Sequence, residues 1–135
     1  YKLILTDEKD TQRAASYTGN SGTAEYQLNS VVNYEIQGQN HLVLLSDKVE
    51  AYKVYLQDGS NVAGSNQEGV MIRKEIRRDL IQQLVLRLEQ LTPAQLETLQ
   101  QQAEAKAKAE ADAIEAARKA QEETPQQSPL ELQNQ

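Results

Sequence analysis

Few side chains in this 135-residue chain have the type and spacing that chemistry requires. There is no Cys, no Trp and no Phe, and His41 is the only histidine. Without Cys there is no thiolate zinc site, iron–sulfur cluster, disulfide framework or cysteine nucleophile, and one His cannot build a multi-histidine metal site. His41 sits beside a turn, with no nucleophile or orienting carboxylate marked near it in the sequence, so it reads as an ordinary surface residue rather than a base. Asp7, Glu8 and Asp10 lack the twelve-residue loop of a calcium hand and read as a solvated turn. No Gly-rich phosphate loop and no nucleophile elbow is present. The expectation is a protein that is not an enzyme, with no metal and no cofactor.

Charge offers binding rather than catalysis. Arg73-Lys74 and Arg77-Arg78 lie four residues apart and form a basic patch on one helix face, either a solvated face or a docking surface for an anionic partner. Arg13, Lys48 and Lys53 are the basic groups on or next to strands. Overall the chain carries 14 Lys+Arg against 20 Asp+Glu, a net charge of -6, which argues against nucleic acid as a partner. Residues 1–92 are net -2 and residues 93–135 net -4. Aromatics are 4%, all Tyr, and the last is Tyr55; mean hydropathy is -0.70. The residues do not share one core. No run reaches the ~18 apolar residues of a membrane-spanning helix.

The elements that must hold these groups follow from periodicity. Tyr1–Thr6 is a short strand, interrupted by Asp7–Asp10; Thr11–Ser16 continues it towards a turn at Gly19-Asn20-Ser21-Gly22, whose residues accept positive φ. Residues 24–36 alternate for thirteen positions: Ala24, Tyr26, Leu28, Ser30, Val32, Tyr34 and Ile36 on one face, Glu25, Gln27, Asn29, Val31, Asn33 and Glu35 on the other. That pins the register of a sheet with one buried and one wet face. Leu42–Leu56 is the next strand, with a bulge or bend predicted near Ser46–Lys48 where its apolar phase shifts. A helix from about Gln67 to Leu91 carries Ile72, Ile76, Leu80, Leu84 and Leu88 at i+4, with Ile81 and Val85 widening the stripe; Ser65 and Glu68 resemble a capping box. Thr92, Pro93 and Gln95 start a second helix as N-cap, N1 and N3. The fold class predicted is α+β, a small, mostly antiparallel sheet of three long strands with an amphipathic helix on one face. Three regions follow: a folded domain over 1–92, a solvated Ala/Glu/Lys helix over 93–121 and a disordered tail over 122–135.

Two strings then become informative. Thr23-Ala24-Glu25-Tyr26-Gln27 follows an Asn/Gly turn and opens the alternating strand. Met71-Ile72-Arg73-Lys74-Glu75 opens the helix, which continues as Leu80-Ile81-Gln82-Gln83-Leu84 and ends with Arg87-Leu88. Residues 1–91 resemble the LptE (rare lipoprotein B) family of lipopolysaccharide-assembly lipoproteins of Gram-negative outer membranes. The resemblance implies a two-layer α/β sandwich with a four-stranded sheet. It also implies a plug inside the LptD β-barrel, binding of lipopolysaccharide and its delivery to the outer leaflet. A lipid anchor on an N-terminal Cys, on the periplasmic side, is implied as well. The family's first strand and helix are expected upstream of Tyr1, with the anchor Cys and signal peptide.

In that family, basic residues near the hairpin tip before TAEYQ and in the loop before the last helix are associated with lipopolysaccharide. Here Tyr17, Thr18, Gly19, Asn20 and Ser21, and residues 62–66, include no Lys or Arg, so no ligand role transfers to them. The hairpin tip is expected as a barrel contact, and Arg13, Lys48 and Lys53 as the remaining lipopolysaccharide-binding candidates. The other function class compatible with the residues is a periplasmic α/β adaptor that uses its C-terminal helix to hold another protein.

Overall fold

The computed structural model describes residues 1–17 and 23–124. Its order is β1 (Lys2–Tyr17), β2 (Thr23–Gln37), a 3-10 turn (Gln39–His41), β3 (Val43–Asp58), α1 (Val62–Glu89) and α2 (Pro93–Glu123). The three strands form one antiparallel sheet in the order β1-β2-β3, an α+β fold. The chain divides into two compact units, Tyr1–Gln100 and Gln101–Gln135.

The alternation of β2 decides the layering. Leu28, Ser30, Val32, Tyr34 and Ile36 are all buried. Of these, Leu28, Val32 and Tyr34 join Val49, Ala51 and Tyr55 of β3 and Ile76 and Leu80 of α1 in one core, with Tyr26, Leu45, Ile72 and Leu84 packed around them. Tyr34 is 2% and Val49 1% exposed, and Tyr26 stacks on its cross-strand partner Tyr55 at 6.0 Å. Helix α1 covers this face with its i+4 apolar stripe, which places Ile76 and Leu80 in the core. It lies chiefly over β3.

β1 is continuous through the charged run that the sequence suggested would interrupt it. An edge strand tolerates such a run because one side of it remains in water. The charge is accommodated by a register shift between Leu5 and Asp7. The bulge expected near Ser46–Lys48 is absent: pairing runs unbroken through Ser46, Asp47 and Lys48, and the shift lies instead between Ile36 and Gln37, opposite Leu45 and Val43. The apolar phase breaks at Asp47 for another reason. Asp47 faces α1, where it pairs with Arg87.

α1 begins at Val62, five residues before the predicted start, and its N-cap is Asn61, whose side chain accepts from the Gly64 N–H at 3.1 Å. Ser65 is therefore not the cap. It is buried, accepts from the Asp58 N–H at 3.0 Å and donates to the Asp58 carbonyl, fastening the first turn to the end of β3. Ile81 and Val85 do not widen the buried stripe; both are exposed. α2 starts as the sequence predicted. The Gln95 N–H donates to Thr92 Oγ1 at 3.2 Å and the Thr92 N–H to Gln95 Oε1 at 2.9 Å, a reciprocal capping box.

Gln100 closes the first unit. It is buried and accepts from the Gln39 N–H at 3.0 Å. Its Oε1 lies so close to Gly38 that an added Cβ would sit 1.8 Å from it, so a larger residue there would displace the Gln100 amide. The second unit is the remainder of α2, with i,i+4 pairs Lys119–Glu115 and Arg118–Glu122. The tail expected over 122–135 lies outside the described residues from 125 on. No helix among the described residues is long and apolar enough to cross a membrane.

Candidate functional site

The wet face of the sheet is built by the other half of the β2 alternation. Pairing places Thr11, Asn29 and Tyr52 in one row across β1, β2 and β3, and Arg13, Gln27 and Val54 in the next. Lys9, Val31 and Glu50 form the row on the other side of Tyr52. These side chains point away from α1 because their neighbours Leu28, Ser30 and Ala51 point into the core. Arg13 donates twice to Gln27 Oε1, from Nη2 at 2.8 Å and from Nε at 3.2 Å. Asn29 donates to Glu50 Oε1 at 2.9 Å. Thr11, Arg13, Gln27, Asn29, Glu50 and Tyr52 line a shallow groove of about 320 Å³.

The structure separates the three basic candidates. Arg13 and Lys48 share the wet face, but they lie on rows opposite Gln27 and Asn33, six strand positions apart, about 20 Å. Lys53 is on the other face, opposite Leu28, with its Nζ 3.4 Å from Asp79 Oδ2 of α1. A single phosphate therefore cannot touch all three. Of the hairpin tip, Thr18, Gly19, Asn20 and Ser21 lie outside the described residues, and Tyr17 is described only as the last residue of β1.

The helix-side face holds a second concavity of about 270 Å³, where Arg73, Lys74 and Arg77 of α1 stand across from Glu8 and Asp10 of β1 above Leu28, Ile76 and Leu80. The Arg77–Glu8 pair is long, 3.9 Å, and largely exposed, which makes it weak. Beneath it the core edge is polar by design of the register. The Ser30 hydroxyl donates to Asp10, and Gln12 donates to the Tyr55 hydroxyl at 2.8 Å, so each buried polar group on this edge is satisfied.

At the far end of α1, Arg87 pairs with Asp47. The Asp47 carboxyl is held below the usual range, first by the Lys48 backbone N–H and then, against some burial, by the Arg87 guanidinium. The Arg87 guanidinium is raised in turn by its bonds to Asp47 and Tyr34. The Asp58 carboxyl is lowered by the hydroxyl and N–H of Ser60.

His41 lies in the exposed 3-10 turn between β2 and β3. It and Asn40 both adopt φ 57°, a conformation uncommon outside Gly and more often taken by Asn and His than by other residues. No group of three His, Asp or Glu side chains that could hold a metal ion occurs among the described residues. The groove on the wet face was half legible. Alternation marks Gln27 and Asn29 as outward, but only the cross-strand register adds Thr11, Arg13 and Tyr52.

A family model described as LptE, lipopolysaccharide-assembly, matches residues 2–88. No curated protein matches the chain.

Proposed function

From its membership of the LptE family of lipopolysaccharide assembly, to which this chain belongs, we propose that the protein is a non-enzymatic lipoprotein. In this reading it seats as a plug in the LptD β-barrel, on the periplasmic side of the outer membrane, and binds lipopolysaccharide during its transfer to the outer leaflet. The observation that supports this reading most is the wet face of the sheet. It carries Asp7, Lys9, Arg13, Glu25, Glu35, Lys48 and Glu50 interspersed with Gln and Asn. A barrel lumen is polar and water-filled, and a surface of both signs rich in amides enters it without burying a large uncompensated charge. The membrane contact of this protein is a lipid anchor in this reading, and lipopolysaccharide its ligand. Arg13, Lys48 and Lys53 meet lipopolysaccharide as separate contacts, Lys53 after release from Asp79. The hairpin tip, Tyr17 to Ser21, is a barrel contact in this reading.

The test is co-isolation. A tagged form of the intact protein, extracted from outer membranes in mild detergent, brings down a large β-barrel, and its deletion lowers the amount of correctly assembled barrel. Recovery of no barrel by a folded, membrane-localised protein defeats the proposal.

A second reading, an adaptor that uses its C-terminal helix, draws on one observation: α2 continues as helix to Glu123 with residues 108–123 exposed. Removing residues 101–135 separates the two. Retained barrel recovery supports the plug, and loss of partner binding with an intact first unit supports the adaptor. The cut belongs after Gln100 because that side chain is part of the first unit.

A further inference from the structure

We propose that the groove on the wet face of the sheet, around Tyr52, is a saccharide-binding subsite. The inference rests on the lipopolysaccharide reading above and names the part of that ligand the groove takes: the hydroxyl-rich oligosaccharide, not the phosphates or acyl chains.

Three features of the groove lead there. The first is an aromatic platform. Tyr52 is 63% exposed although it is among the largest apolar surfaces of the sheet, and it stands in the row of Thr11 and Asn29. The face of a phenol ring is electron-rich and attracts polarised C–H bonds. Pyranose rings present such C–H bonds on one side and hydroxyls around their rim. The second feature is the kind of polar group beside the ring. Arg13, Gln27, Asn29 and Glu50 all end in planar forks, and a planar fork can engage two vicinal hydroxyls at once.

The third feature is that these forks are already paired, yet not used up. Arg13 spends two of its five N–H donors on Gln27 Oε1. Gln27 keeps its NH2 donors. Asn29 spends one N–H on Glu50 Oε1 and keeps its carbonyl acceptor, while Glu50 keeps its second oxygen. Thr11 adds a hydroxyl. Mutual pairing fixes the forks before the ligand arrives, which lowers the ordering cost of binding. What remains is a mixture of donors and acceptors, the pattern that hydroxyl groups, donor and acceptor at once, satisfy.

The charge balance rules between ligand classes. Arg13 and Glu50 cancel within the groove, so a phosphate gains little there, and an acyl chain would desolvate the forks without replacing their hydrogen bonds. A neutral or weakly charged sugar does neither. The three rows span three strands, about 10 Å across, the breadth of a short oligosaccharide rather than a single small molecule.

The experiment is an NMR titration of the full chain with the oligosaccharide freed from lipopolysaccharide by mild acid, with intact lipopolysaccharide as a parallel probe. The oligosaccharide shifts the Tyr52 ring and the side-chain amides of Gln27 and Asn29. Tyr52→Ala weakens its binding by about tenfold or more, and Tyr52→Phe, which keeps the ring face, holds it within about threefold. Tyr52 is exposed, so a matching circular dichroism spectrum is expected for both variants. Binding of intact lipopolysaccharide with no oligosaccharide binding, or with shifts confined to the α1 side, overturns the subsite and leaves the lipopolysaccharide reading standing. Binding of neither probe overturns both. Loss of barrel recovery in Tyr52→Ala with unchanged oligosaccharide binding assigns the groove to a protein partner and also overturns the subsite.

Discussion

At the scale of single residues, the side chains that matter most to the fold are polar ones in unusual places. Asp47 breaks the apolar phase of β3 because it meets Arg87, and Ser65 sits buried inside α1 because it holds the end of β3. Both have a measurable consequence. A carboxyl depressed in the folded state contributes stability that is complete above its unfolded value and is lost as pH falls through the folded one. Asp47 is such a group. In urea titrations at a series of pH values, the wild type is expected to have the higher midpoint at neutral pH, with the difference from Asp47→Asn shrinking as acid protonates the carboxyl below the ordinary aspartate range. A constant gap down to strongly acidic pH contradicts the assignment. Asn61→Ala removes the α1 N-cap and is expected to destabilise the first unit by about 1 kcal/mol, read from the same midpoints, whereas a cap at Ser65 would leave Asn61→Ala neutral.

At the scale of elements, the lesson concerns which apolar stripes are buried. Leu80 of α1 is 6% exposed, and Ile114 of α2 is 71% exposed. Leu80→Ala is expected to cost about 2–5 kcal/mol, while Ile114→Ala changes stability by less than about 0.5 kcal/mol. Thermal and urea unfolding measure both, and a large effect at Ile114 would mean that the second unit has a packed partner. The strands were the most legible part of the sequence. Thirteen alternating residues leave little freedom once one face must be dry, and β2 is what alternation said it would be. The start of α1 was less legible. Ser65 and Glu68 have the right spacing for a capping box, but the three residues before Ser65 are also helical, and Asn61 outcompetes Ser65 as cap because Ser65 finds Asp58 instead. The bulge was misplaced because a single inward Asp mimics a change of phase.

At the scale of the whole molecule, composition and tertiary contact mark two different points along the chain. The sharp change at Thr92-Pro93 marks where the apolar residues thin out. Tertiary contact extends further, to Gln100, through a hydrogen bond to Gln39 that no local pattern reveals. Gln100→Ala tests that bond: it leaves the Gln39 N–H at a half-buried site without its partner, and a lowered unfolding midpoint of about 1 kcal/mol is expected. The wet face of the sheet had the same mixed legibility. Its polarity was readable in β2 alone, but the grouping of Arg13 with Gln27, and of Tyr52 with Asn29 and Thr11, is a property of register. So is the separation of Arg13, Lys48 and Lys53.

The central claim is that this fold serves lipopolysaccharide assembly from within a β-barrel. Affinity isolation of the intact tagged protein from detergent-solubilised outer membranes tests it most directly. The account predicts a single large β-barrel partner in near-equal amount, retained when residues 101–135 are removed. A folded protein at the outer membrane that brings down no such barrel contradicts it.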